Sequence, residues 1–120
     1  MTTQFSFSKI ENELLPGFRK KIGSAESTED VKKFYVYTMQ DLFRQAFSGN
    51  LNLEYGDISL QPDHNQPFAL IEGIKERADF VAIWKNSDLS HVVTRFSETA
   101  IHRYKHLEKN PAKTEAKIRM

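Results

Sequence analysis

Apolar residues recur every four positions at Ile10, Leu14, Phe18 and Ile22, the spacing that gathers side chains on one face of an α-helix. Ser8, with Glu11 three residues later, predicts a capping box in which each side chain satisfies a backbone N–H that the helix leaves unpaired. Pro16-Gly17 falls inside the pattern and is expected to kink or split the helix, and Gly23-Ser24-Ala25 supplies the turn that follows.

A second helix is predicted to start at the N-cap Ser27. Glu29 and Asp30 sit in its first turn, where the helix dipole favours anions, and Gly49 is placed to stop it. Val31, Phe34, Tyr35, Thr38, Leu42 and Ala46 form one face. Met39, Phe43 and Phe47 widen that stripe, which predicts the most buried helix of the fold.

From Leu51 the period falls to two. Leu51, Leu53 and Tyr55 alternate, and Ile58 and Leu60 alternate again after Gly56-Asp57. A hairpin with a two-residue type II′ turn is expected, pairing Tyr55 with Ile58 and Leu53 with Leu60. Residues 61–67, with Pro62 and Pro67, read as a loop, and Phe68–Ile71 as a candidate third strand. Ile74, Ala78, Val81 and Lys85 favour a helix over 73–85, with a buried strand over 80–84 as the other reading. Asn86-Ser87-Asp88 then opens a last helix striped by Leu89, Val93, Phe96, Ala100, Tyr104 and Leu107.

These elements predict an α+β fold: two N-terminal helices, a small antiparallel sheet of two or three strands, and two C-terminal helices around one core. A mainly α bundle carrying a β-hairpin is the alternative. A chain of 120 residues suits one domain. That domain is expected over residues 1–108, with a flexible basic tail over 109–120, where only Ile118 and Met120 are sizeable apolar groups.

Composition narrows the function classes. Apolar residues make up 39% and charged residues 28%, and nine Phe, four Tyr and one Trp supply packing surface. The absence of cysteine excludes disulfides and thiolate metal sites. The first seven residues lack the basic start and apolar stretch of a signal peptide, and no run approaches the roughly 18 apolar residues of a membrane span, so a cytoplasmic location without membrane association is expected. A net charge of +1 conceals an asymmetry: residues 102–120 hold six basic groups against two acidic ones, the other 101 residues eleven against fourteen.

Candidate chemistry is sparse. Glu98, His102 and His106 stand at four-residue steps on the last helix, a spacing that aligns three metal-ligating side chains; the same face is otherwise a solvated one. Asp63 and His64 offer an acid and an imidazole in the 61–67 loop, where a polar turn needs no further role. Trp84 serves either as core or as an interface anchor. Arg103, Lys105, Lys109, Lys113, Lys117 and Arg119 are the cations able to meet a phosphate backbone, although a pI near 8.0 is low for that role. No GxSxG elbow and no glycine-rich phosphate loop occurs, and no cofactor is expected. The sequence therefore favours, by elimination, a non-catalytic protein-interaction module acting through a protein partner or self-association. Phosphate-backbone binding comes second, and a metal-dependent enzyme using Glu98, His102 and His106 third.

Overall fold

The computed structural model describes residues 6–109. Among them the chain forms α1 (Ser8–Ser24), α2 (Thr28–Ala46), β1 (Ile58–Leu60), β2 (Phe68–Leu70), α3 (Glu72–Lys75), α4 (Ala78–Asn86) and α5 (Leu89–Lys109). The fold is α+β, mostly helical with one small antiparallel sheet. Residues 110–120, and with them nearly all of the expected tail, lie outside the described residues. Among the described residues no helix is long and apolar enough to cross a membrane.

The start of α1 differs from the expected capping box. Ser8 lies inside the helix, and Phe7 before it makes no side-chain cap. Glu11 instead sends its carboxylate to Arg95 of α5, accepting from Nε at 2.6 Å and from Nη2 at 2.7 Å. A largely buried carboxylate gains more from a forked charge-assisted pair than from a single backbone N–H. Asp88 does the remaining work, accepting from the Phe7 N–H at 2.8 Å and the Ser6 hydroxyl at 3.2 Å. The register of α1 is thus set by the start of α5. Pro16 does not split α1, which runs through it without a break. Asn12, whose carbonyl loses its helical donor, faces solvent together with Pro16, and water can serve that carbonyl.

Ser27 caps α2 as expected, its hydroxyl accepting from the Asp30 N–H at 3.1 Å. At the far end the Gly49 N–H bonds the Arg44 carbonyl at 2.8 Å and the Ser48 N–H bonds the Gln45 carbonyl at 3.2 Å. This closure places Ser48 at φ 53°, a left-handed conformation that costs any side chain with a Cβ. Ser48→Gly is expected to stabilise the protein by roughly 0.5–1 kcal/mol, the relief of that strain less the extra freedom of glycine in the unfolded chain. Denaturant unfolding measures it.

The sheet corrects the expected hairpin. Residues 51–55 form no strand, and β1 pairs with β2 instead, Ile58 opposite Leu70, Ser59 opposite Ala69 and Leu60 opposite Phe68. Side chains take up part of the 50–57 backbone: Gln40 donates to the Leu53 carbonyl, Arg77 to the Asn50 carbonyl, and the Glu54 N–H to the Asp57 carboxylate. Leu51 and Leu53 are buried all the same, so their alternation reports burial without a ladder. The expected helix over 73–85 is divided at Glu76 and Arg77. Arg77 turns extended (ψ 134°), and its guanidinium clamps Asp79 at 2.8 and 3.0 Å as α4 begins. Those hydrogen bonds, with the charge behind them, hold the Asp79 carboxyl below the usual carboxylate range.

The core lies between α1, α2 and α5, with the sheet laid on α2 through β1. Val31, Tyr35, Met39, Leu42 and Phe43 of α2 are fully enclosed, as are Leu89, Val92, Val93, Phe96 and Ala100 of α5. The core holds one polar contact of note, the Tyr35 hydroxyl 2.7 Å from the Ser97 Oγ, which in turn donates to the Val93 carbonyl at 2.8 Å. Ser97 is spent as a donor, so Tyr35 donates.

Burial pushes the Tyr35 phenol well above its usual range, partly offset by the Ser97 contact. Below the ordinary value of about 10 both states keep the proton and the contribution to stability is complete; above it the unfolded chain ionises first, so stability falls as pH rises. Denaturant unfolding between about pH 8 and about pH 11 is expected to show this decline, shallower in Tyr35→Phe, at a neutral-pH cost of about 1 kcal/mol for the lost hydrogen bond.

Candidate functional site

A groove of about 490 Å³ runs between β2 and α4. Phe68 and Leu70 line it from β2, and Phe80, Val81 and Trp84 from α4, with Lys75 and Lys85 at the rim. Its floor is continuous with the core. Phe43 and Phe47 of α2 and Phe80 lie nearly parallel, with ring centroids 6.0 to 6.5 Å apart. Trp84 stacks on Phe80 at 4.9 Å and meets Phe68 edge-on at 6.0 Å. Trp84 is half-buried, packed against the core on one side and open on the other.

Local sequence explains the placement. Phe80 and Trp84 are four residues apart on α4 and share a face, with Val81 beside them. Pro67 leads into β2, where it accepts from the Gln61 N–H at 2.8 Å, and the Asp57 carbonyl accepts from the Ile71 N–H at 3.1 Å at the other end. The groove wall carries lysines and no carboxylate. Lys75 is paired with Glu72 at 3.2 Å, whereas Lys85 has no ion-pair partner among the described residues.

The other sequence candidates lie elsewhere. Asp63 and His64 border a second hollow of about 460 Å³ with Tyr55 and Tyr104. Asp63 is tied there to Lys105 at 2.7 Å, and the hydrogen bond and charge of that lysine hold its carboxyl below the usual range. Glu98 and His102 border a third hollow, about 420 Å³, between α1 and α5, alongside the Glu11–Arg95 pair. His106 lies further along α5, exposed. Among the described residues no three His, Asp or Glu side chains converge closely enough to hold a metal ion.

The basic candidates are dispersed. Arg103 folds back to donate to the Ala25 carbonyl at 2.8 Å, and Lys105 is engaged by Asp63. Lys109 is exposed at the end of α5, and Lys113, Lys117 and Arg119 lie outside the described residues. Of the residues singled out in the sequence, only Trp84 belongs to the β2–α4 groove. Phe68, Leu70 and Val81 read there as core, and only their juxtaposition makes a site. Comparison with protein-family models, with curated proteins and with solved structures returned no match.

Proposed function

We propose that this protein is a non-catalytic interaction module that binds a partner protein through the groove between β2 and α4. The observation that carries the reading is a concave apolar surface, built on rings of the core and rimmed by cations, with a half-open tryptophan in its wall. Aromatic side chains anchored below and exposed above are what an interface hot spot requires, because they lose little entropy on binding and exclude water from their neighbours. The second and third hollows suit this role less, since ion pairs from Lys105 to Asp63 and from Arg95 to Glu11 already occupy their walls.

Selection from a displayed peptide library, followed by affinity measurement against Val81→Arg, tests the reading. Val81 is half-buried on α4, and an arginine there fills the groove while suiting a helix. Enriched peptides are expected to lose at least about tenfold in affinity on that variant, the scale of one interface anchor. Failure to enrich any sequence, or equal binding to the variant, would sink the proposal.

A further inference from the structure

We infer that the occupant of this groove is an extended peptide segment that adds to β2 as a third strand and places an acidic side chain near Lys85; the inference rests on the groove being the binding surface.

The register of the sheet carries the argument. Asp57 and Ile71 form a hydrogen-bonded pair, as do Gln61 and Pro67, so by the period of two Ser59 and Ala69 form the pair between them. The N–H and C=O groups of Phe68 and Leu70 therefore point away from β1. Among the described residues these groups have no hydrogen-bond partner and no further strand follows β2 in the sheet.

A second observation places that edge, unpaired among the described residues, at the groove. Phe68, Ala69 and Leu70 all line it, although their side chains alternate between the two faces of the sheet, with Ala69 exposed and its neighbours buried. A groove lined by three consecutive strand residues takes in the backbone of the strand as well as the face on which Phe68 meets Trp84. An incoming strand would bond the Phe68 and Leu70 backbone and set alternate side chains against Val81 and Trp84. Among the described residues the lining carries no carboxylate and Lys85 has no ion-pair partner, so the charge that complements the rim is negative.

The test uses peptides enriched in the selection above, end-blocked so that internal side chains hold their only carboxylates. In the complex with the full chain, amide exchange at Phe68 and Leu70 is expected to slow by at least about tenfold. N-methylation along the peptide is expected to abolish binding at alternate positions and spare those between. Lys85→Glu is expected to weaken an acidic peptide by roughly fivefold and its glutamine-substituted counterpart by less. Binding with exchange at Phe68 and Leu70 unchanged overturns strand addition while leaving the groove as the surface. Binding lost on Val81→Arg only because the protein no longer self-associates, seen by sedimentation, assigns the groove to a second copy and overturns the peptide. No binding at all overturns both readings.

Discussion

Phe96→Ala is expected to lower the unfolding free energy by about 3–5 kcal/mol, a large share of the roughly 5–15 kcal/mol that holds a domain of this size. Phe96 has no exposed surface and sits on α5 where it faces both other long helices. Its ring meets Phe18 of α1 edge-on at 5.0 Å, and the next residue, Ser97, takes the Tyr35 hydroxyl of α2. Truncation leaves a cavity beside Phe18, where α1 and α5 are pinned together nearby by Glu11 and Arg95, so the walls cannot collapse freely. Phe96→Leu keeps most of the volume and is expected to cost less than half as much. Urea unfolding of the two variants measures both. A loss below about 1 kcal/mol for Phe96→Ala would mean that α1 and α5 do not pack through this ring.

Phe80→Ala is expected to cost a similar 3–5 kcal/mol, and to leave a second mark that Phe96→Ala does not. Phe80 joins α4 to the ring stack of Phe43 and Phe47 and supports Trp84 from below. Removing it strips one face of the indole and opens the floor of the groove. Trp84 is the only tryptophan in the chain, so its emission reports the change directly. The folded Phe80→Ala protein is expected to emit at longer wavelength than wild type, while folded Phe96→Ala keeps the wild-type spectrum. Coupling between Phe80→Ala and Phe43→Ala is expected to be non-additive by about 0.5–1.5 kcal/mol, the worth of a packed ring pair beyond its buried area.

What the sequence made legible follows from how local each signal is. The long helices α2 and α5 repeat their apolar residues over several turns, and most of each stripe is buried, with Val36, Val92 and Ser97 added to it and Phe34, Thr38, Tyr104 and Leu107 only half-buried. Residues 51–60 form no hairpin although their pattern predicts one, because alternation records which side chains are buried, not which backbones pair. Leu51 and Leu53 point inward while Gln40 and Arg77 take up the carbonyls that a ladder would have used. Tyr55, expected on the apolar face opposite Ile58, is 52% exposed and meets Tyr37 edge-on at 6.0 Å instead. The capping box at Ser8 failed for a related reason: Arg95, 84 residues away, claims Glu11. No local pattern contains that partner.

The groove was the least legible feature of all. Each of its residues is ordinary where it stands, an apolar strand position or an apolar helix position. Its character comes from the break at Glu76 and Arg77, which separates α3 from α4 so that Phe80, Val81 and Trp84 of α4 line a groove together with β2. Trp84 was the single residue whose type hinted at a surface role, and the hint could not say which neighbours it would have. The cations of α5 drew attention by their number, yet their partners, Asp63 for Lys105 and the Ala25 carbonyl for Arg103, come from distant segments.

Titrating an enriched peptide into isotope-labelled protein, and mapping the amide and indole resonances that move, decides whether the β2–α4 groove is the binding surface. A contiguous set of shifts is expected at Ala69, Leu70, Val81, Lys85 and the Trp84 indole N–H, with Asp63, His64, His102 and Lys105 undisturbed. Shifts gathered instead around Asp63 and His64, or around Glu98 and His102, would contradict it.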